Sequence, residues 1–292
     1  MRLLSKGFML PTLNADNTLL AGGNNSSIYV FDTNTNEVKY KLSKGYYIGF
    51  NEQNQMLCIE QNGKFSIYDP ENATTLHQNR VPFRPEYLLP YFCWFDEDTI
   101  YFDYTEKSSP KTCNDRPIWH LVKYQISTQR FEELSLDGSI IGRWGDYLVM
   151  ESDLEKDPTK PVRPALLFYK EDVLQKAVEI REDRSIQLIN GELYHIYNKK
   201  GLRIFQLNKD FELQEIFCDL RYPKSAFGLE FFVSPKYVAV CAMRNEEVRV
   251  YNRADGKILL KEKVPYKQGL ILVEDKLYVA SMSSLYMFNI IK

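Results

Sequence analysis

The three histidines are the side chains best suited to binding a metal or acting as a general base near neutral pH. They stand at His77, His120 and His195, so neighbouring pairs are 43 and 75 residues apart. Histidine metal sites usually have a second ligand a few residues away, and no such spacing occurs here. His195 lies in "ELYHIY", at a place that six comparable segments fill with small or apolar residues. We therefore predict a core histidine, and the sequence disfavours histidine-based chemistry.

Three carboxylates could hold a cation near the ends of predicted strands: Glu60, Asp103 and Glu151. When the strands are aligned, Glu60 and Glu151 occupy the sixth place and Asp103 the fifth, and successive strand side chains point to opposite faces. The glycine-rich nucleotide motifs and the G-x-S-x-G nucleophile motif are missing from the sequence. We therefore expect no catalytic residues, no cofactor and no metal.

The cysteines favour a cytoplasmic protein, and neither the charge nor the N-terminus points elsewhere. The five cysteines are widely spaced with no C-x-x-C motif, which favours reduced thiols. A net charge of -2 gives no overall attraction to nucleic acid or to a membrane surface. The first residues lack the pattern of a secretory signal, and no apolar run is long enough for a spanning helix.

A repeated segment organises the chain. Seven short runs of β-branched and apolar residues each close on an aromatic, at Phe31, Tyr68, Tyr124, Tyr169, Phe205, Tyr251 and Phe288. Successive aromatics are separated by roughly 43 residues on average, which is the length of one four-stranded propeller blade. The spacing therefore predicts seven blades.

Further strands surround each repeated segment. Upstream runs such as "DTIYFDY" and "KYVAVCA" have apolar residues at odd and even places, as strands buried on both faces do. The seventh blade has three strands, so we expect "MRLLSK" to add the fourth and cover an open edge. We predict an all-β fold, a seven-bladed β-propeller with four antiparallel strands per blade and very little helix, as a single domain over residues 1–292.

These segments resemble those of WD-repeat propellers in a degenerate form. In that family the third strand ends in an aromatic followed by Asp, and Phe31-Asp32 and Tyr68-Asp69 match. The other five segments carry Gln, Lys or Asn at the second place. The Gly-His dipeptide and the Asp-His-Ser/Thr-Trp network of the family are absent. Other seven-bladed families, including quinoprotein-like ones, stay open.

Three distant connections share a proline beside aromatic and cationic residues: "RVPFRPEY", "RYPKSAF" and "KVPYKQGL". The proline ends an outer strand, because it fixes φ and lacks a donor, but this does not explain its neighbours. Each connects the fourth strand of one blade to the first strand of the next, at the end that also carries the second-to-third-strand turns. We call this end the top of a blade and the other end the bottom. The predicted partner-binding residues here are Phe83, Arg84, Arg221, Tyr222, Lys224, Tyr266 and Lys267.

Two proline-rich insertions extend the tops of adjacent blades, at residues 106–117 and 153–164. Long loops on a rigid scaffold often carry function, so Arg116 and Arg163 join the predicted site. Five top segments together carry a formal charge of +5, against -7 for the rest of the chain. They are residues 78–87, 106–117, 153–164, 219–226 and 261–269.

We therefore predict a non-catalytic protein–protein interaction module or scaffold, monomeric on its own. Its basic, aromatic-edged top would bind an acidic protein or peptide, because arginine and aromatic residues dominate interface energetics. Two alternatives stay open. One is a small-ligand or metal-dependent, hydrolase-like enzyme acting at the mouth of the central channel. Nucleic-acid binding ranks last, because the chain lacks dense Lys/Arg tracts and a stacking platform.

Overall fold

Seven antiparallel sheets of four strands each make up the structure, a computed structural model. It describes residues 1–6, 9–24, 27–43, 47–60, 62–82, 85–106, 118–136, 138–154, 163–180, 185–198, 201–223, 229–242, 247–264, 267–281 and 284–291. These residues form 28 strands and no helix. In the same part of the chain, no helix is long and apolar enough to cross a bilayer. The predicted seven-bladed all-β propeller fold is confirmed.

The chain divides into two compact units, residues 1–43 with 183–292 and residues 44–182. The first unit contains four blades. Blade 1 consists of β2 (Met9–Leu13), β3 (Leu19–Asn24), β4 (Ser27–Asp32) and β5 (Glu37–Ser43). Blade 5 consists of β18 (Ser185–Ile189), β19 (Glu192–Tyr197), β20 (Leu202–Leu207) and β21 (Leu213–Asp219). Blade 6 consists of β22 (Leu229–Val233), β23 (Tyr237–Ala242), β24 (Glu247–Asn252) and β25 (Ile258–Lys263). Blade 7 consists of β26 (Lys267–Val273), β27 (Lys276–Ser281), β28 (Ser284–Asn289) and β1 (Arg2–Lys6).

The second unit contains three blades. Blade 2 consists of β6 (Tyr47–Phe50), β7 (Met56–Ile59), β8 (Lys64–Asp69) and β9 (Thr74–Arg80). Blade 3 consists of β10 (Pro85–Trp94), β11 (Thr99–Glu106), β12 (Ile118–Gln125) and β13 (Arg130–Leu134). Blade 4 consists of β14 (Ser139–Trp144), β15 (Tyr147–Asp153), β16 (Pro164–Lys170) and β17 (Val173–Glu179). The predicted insertions of residues 106–117 and 153–164 come in the chain between second and third strands, with Glu106, Asp153 and Pro164 as strand ends.

The N-terminal strand completes blade 7. Strand β1 pairs antiparallel with β28, from Arg2 opposite Met287 to Lys6 opposite Ser284. The third strand of the last blade therefore has a partner on its outer side, which leaves no long unpaired edge at this place. The predicted closure by residues 1–6 is confirmed.

Burial follows the order of the strands within a blade. The second strand of blade 2, β7, is buried along its whole length, whereas the outer strands β5 and β17 are largely exposed. All seven repeated aromatic segments form third strands, and five of the closing aromatics are buried. Tyr68 and Phe205 are partly exposed. The pattern of apolar residues at odd and even places therefore identified the inner strands correctly.

The pairing of third and outer strands carries a bulge in five blades. The shift comes immediately before the closing aromatic, as between Val30 and Phe31 or between Val250 and Tyr251. The same shift occurs in blades 2, 4 and 5. Bulges increase the local twist of an edge strand and make it a poorer template for pairing with another chain. They therefore suit outer strands that face solvent.

Candidate functional site

The structure places four of the nine predicted partner-binding residues. Lys267 begins β26, where its backbone pairs with Ser281. Arg163, Arg221 and Tyr222 are described in full. The others lie outside the described residues: Phe83, Arg84, Arg116, Lys224 and Tyr266.

Arg163 stands at the base of the second insertion and is exposed. The backbone N–H of Leu154 donates to the carbonyl oxygen of Arg163 at 2.8 Å, which closes the base of this loop. The guanidinium Nη2 lies 2.7 Å from Glu179 Oε2 on β17, and this hydrogen bond lowers the pKa of the Glu179 carboxyl. Because both groups are exposed, water screens their attraction. Arg163 is therefore a cation at the top of blade 4 that already has a carboxylate partner.

Tyr222 is buried, and this corrects the expectation that its ring is an exposed anchor. The ring belongs to a core cluster of the first unit, and the guanidinium carbon of Arg249 lies 4.9 Å from its centroid. Burial raises the pKa of its hydroxyl group. A sequence pattern of aromatic beside cation does not say which of the two faces solvent. Here the cation of the pair, Arg221, is the exposed one.

Arg249 lies at the centre of a network that the sequence analysis missed. Its Nε is 2.5 Å from Glu247 Oε1, its Nη1 is 3.4 Å from the Tyr251 hydroxyl, and Asp219 Oδ2 is 3.7 Å from Nη1. Lys261 Nζ bonds the other Glu247 oxygen at 3.0 Å. Burial alone would raise the pKa of the Glu247 carboxyl, but hydrogen bonds from Arg249 and Lys261 outweigh it and lower that pKa.

The signal for this network was present in the sequence. Glu247, Arg249 and Tyr251 alternate along β24, so they share one face of the strand. The network has two acidic and two basic side chains, and it is therefore neutral overall. Such a balance is typical of a structural support rather than of a site that attracts an ion.

The bottoms of the three blades in the second unit form an acidic surface. In and next to the turns there are nine carboxylates, and four cations lie among them: Lys123, Arg130, Arg143 and Lys170. The carboxylates belong to Glu52, Asp69, Glu71, Asp96, Glu97, Asp98, Asp146, Glu171 and Asp172. Several of them hold the turns in shape, since Asp96 accepts from the N–H groups of Asp98 and Thr99.

A hydrogen bond and an ion pair join these turns across blades. Gln53 Nε2 donates to Glu97 Oε1 at 2.7 Å between blades 2 and 3. Lys123 Nζ lies 2.8 Å from Asp172 Oδ2 between blades 3 and 4. We therefore treat the nine carboxylates as one surface, which we call the acidic bottom of the second unit.

The candidate metal ligands do not assemble. Within the described ranges, no group of three or more His, Cys, Asp or Glu side chains is placed to hold a metal ion. His195 is buried and stacks on Phe205, at 6.2 Å between ring centroids, as a core residue does. His120 Nδ1 lies 2.5 Å from Glu133 Oε1, and His77 Nε2 lies 2.6 Å from the Tyr124 hydroxyl.

Asp103 is an unusual carboxylate, because it is only 2% exposed. Its Oδ2 accepts a hydrogen bond of 3.2 Å from the backbone N–H of Ile140 on the neighbouring blade. Burial raises the pKa of this carboxyl from 3.8 to about 6, although the Ile140 bond works in the opposite direction. The equivalent places of blades 2, 4 and 5 hold Ile59, Met150 and Ile196.

The described cysteines are free thiols. Cys58, Cys93 and Cys241 are buried, and Cys218 is exposed. Burial raises the pKa of the Cys93 thiol to about 12, so it is not a reactive thiolate at neutral pH. Cys113 lies outside the described residues.

Comparisons with known proteins identify the fold and no family. No protein-family model matches the chain, and neither does any curated protein sequence. Among solved structures, the β-propeller domain of Cps50 (Swd1) from Myceliophteria thermophila has a TM-score of 0.67 at 14% identity, covering 99% of this chain and 98% of that one. Hydrazine synthase from Kuenenia stuttgartiensis has a TM-score of 0.63 at 11% identity, with 99% and 97% covered.

BamB from Moraxella catarrhalis gives a TM-score of 0.50 at 12% identity, over 96% of this chain and 84% of that one. At such identities the likeness shows the propeller fold alone. Membership of the WD-repeat family stays a prediction.

Proposed function

We propose that this chain is a non-catalytic protein-interaction module whose blade tops bind an acidic protein or peptide. The observation that carries the proposal is the separation of charge between the ends of the blades. In the second unit the top segments 78–87, 106–117 and 153–164 sum to +2, whereas the acidic bottom has nine carboxylates among four cations. The fold is one that the Cps50 (Swd1) propeller domain and BamB also have.

This charge separation has a direct consequence for association. A positive end attracts an anionic partner over roughly one Debye length, about 8 Å at physiological salt, and a negative end repels it. The partner would therefore approach with a preferred orientation, and its association rate would depend on ionic strength.

The connections at the blade tops begin from fixed positions. Val81 is buried, and its backbone N–H donates to the carbonyl oxygen of Gly63 at 3.0 Å, immediately before Pro82. At the connection between blades 5 and 6, Pro223 likewise comes directly after a buried residue, Tyr222. Segments that leave a rigid scaffold at fixed points lose less entropy on binding, which suits recognition.

The first experiment is affinity capture from native cell extract, followed by association kinetics with the captured protein. The Arg84→Glu/Lys267→Glu double variant reverses two charges at the tops. Lys209→Glu/Lys257→Glu is the matched control, because both lysines are exposed in bottom turns and the formal charge change is the same.

We expect slower association and a weaker salt dependence for the top variant, with the control close to wild type. If both double variants associate like wild type, the tops do not bind an acidic partner. A captured protein that is basic would also contradict the proposal.

A further inference from the structure

The connection between blades 5 and 6 begins with a tight turn at residues 219–222. The backbone N–H of Tyr222 donates to the carbonyl oxygen of Asp219 at 3.2 Å. The backbone N–H of Arg221 donates to Asp219 Oδ1 at 2.9 Å. An aspartate at the first place of a turn, bonding the backbone two residues on, is a common way to fix such a turn.

Residues outside the turn also fix its position, through a ring contact, a hydrogen bond and a close backbone approach. Tyr222 is buried against the Arg249 guanidinium, and Asn198 Nδ2 donates to the carbonyl oxygen of Pro223 at 3.2 Å. Gly201 has a φ of +93°, and a Cβ there would lie 2.6 Å from Leu220 Cα. The chain therefore needs a glycine at this point for the turn to approach so closely.

The turn exposes its two central side chains. Leu220 is 64% exposed, which makes it the most exposed large apolar side chain after Met1 among the residues described. Arg221, next to it, is also exposed. The nearby Asp219 carboxylate is engaged on both oxygens, since Oδ2 accepts from the Tyr251 hydroxyl at 3.0 Å. Arg221 therefore presents a positive charge beside an apolar side chain.

We infer that Leu220 and Arg221 form a preorganised contact element for an acidic protein segment that carries an apolar side chain. A single exposed leucine needs no explanation by itself. Here, however, four contacts and a close backbone approach at Gly201 fix the backbone that displays it, so a partner would bind with little loss of chain entropy. The inference rests on the proposed function, and it replaces Tyr222 by Leu220 as the apolar anchor of this connection.

The turn is positioned by three residues: Tyr222, Gly201 and Asn198. They touch the turn from inside the blade and leave Leu220 and Arg221 to meet the partner. The ring of Tyr222 carries the contact with Arg249, so Tyr222→Phe should preserve the turn and Tyr222→Ala should release it.

The test uses the full-length protein and a phage-displayed library of random 12-residue peptides. The library is selected on wild type without prior depletion, so that peptides binding elsewhere on the blade tops are also recovered. Dissociation constants of the enriched peptides are then measured for the single variants. Val173→Ser is the control, because Val173 is 59% exposed on the outer strand of blade 4.

We expect enriched peptides that are acidic and contain an apolar residue. Leu220→Ser and Arg221→Glu should each weaken their binding about tenfold, as for a residue important at an interface, with Val173→Ser unchanged. Tyr222→Phe should bind like wild type. Tyr222→Ala should bind more weakly although both contact side chains are intact, with thermal melting to verify that the variant is folded.

Two negative outcomes are distinguishable. Acidic peptides that lose affinity for the Arg84→Glu/Lys267→Glu variant but bind Leu220→Ser as tightly as wild type would overturn the role of this turn and leave the proposed function standing. If selection on wild type gives no acidic peptides, both the role of the turn and the proposed function are overturned.

Discussion

In the first unit Arg249 is buried among carboxylates, whereas in the second unit Asp103 is buried with a backbone N–H group as its donor. Arg249 is 9% exposed and contacts Glu247, Asp219 and the Tyr251 hydroxyl. Asp103 is less exposed still, and in the described part of the chain no lysine or arginine pairs with it. We call Arg249 the compensated site, because carboxylates offset its charge. We call Asp103 the uncompensated site, because no described cation offsets its charge.

The pKa directions follow from this difference. Burial would lower the pKa of Arg249, but bonds to Tyr251 and Glu247 raise it, so the guanidinium stays charged. For Asp103, burial dominates and raises the pKa to about 6. A buried charge is retained where partners replace water, and a group without such partners tends toward its neutral form. The compensated site also supports the turn that displays Leu220.

The largest effect should come from removing the cation of the compensated site. Arg249→Met leaves the carboxylates of Asp219 and Glu247 partly buried without their guanidinium, and it also removes the cation from the Tyr222 ring. We expect the free energy of unfolding to fall by about 3 kcal/mol, measured by chemical denaturation. Arg203→Met is the control, because its pair with Glu215 is more exposed and should contribute about 1 kcal/mol or less. If both variants lose the same free energy of unfolding, Arg249 stabilises the protein no more than a more exposed arginine does.

The uncompensated site should respond in the opposite direction. Asp103 binds its proton more tightly in the folded than in the unfolded protein, so its contribution to stability is present below pH 3.8 and is lost as pH rises through about 6. Asp103→Asn should therefore raise the free energy of unfolding at pH 7.5 by up to about 2 kcal/mol, with little gain near pH 4. Denaturation at several pH values tests this, with exposed Glu262→Gln as control. A loss of stability at pH 7.5 would mean that the carboxylate has a favourable role.

The sequence predicts the blades better than it predicts these sites. The repeat of aromatics and the doubly apolar inner strands reflect local burial, which acts on neighbouring residues and is visible in the sequence. The surroundings of Asp103 depend on Ile140, which lies 37 residues away on another blade. In the same way, the exposure of Leu220 and the burial of Tyr222 depend on Gly201 and Arg249. Those contacts arise from the pairing of distant strands, so residue types alone did not reveal them.

Two equivalent tyrosines sharpen the comparison between the units. Tyr251 and Tyr124 both close a third strand and reach the preceding blade. The hydroxyl of Tyr251 bonds Asp219 at 3.0 Å, whereas that of Tyr124 lies 2.6 Å from His77 Nε2 and 2.9 Å from Asn79 Nδ2. We expect Tyr251→Phe to lower the free energy of unfolding by about 2 kcal/mol and Tyr124→Phe by about 1 kcal/mol, because hydrogen bonds to charged groups are stronger. The reverse order would show that charge does not set the strength of these contacts.

The smallest effect is the pH response of His77. Burial lowers the pKa of this imidazole below 6.5, so the unfolded chain takes up a proton first as the pH falls. The stabilisation is present above pH 6.5 and is lost as the pH decreases toward the folded-state pKa. Protonation would also prevent Nε2 from accepting a hydrogen bond from the Tyr124 hydroxyl.

The measurement is best made in the Asp103→Asn background, because Asp103 titrates in the opposite sense over the same range. In that background the free energy of unfolding should decrease from pH 7.5 to pH 5.5, by less than the loss caused by Tyr124→Phe. His77→Gln should remove most of this decrease, because a glutamine can accept the same hydrogen bond without titrating. An unchanged pH dependence in the double variant would assign the response to other groups, and the contact between His77 and Tyr124 would then be a pH-independent support between blades 2 and 3.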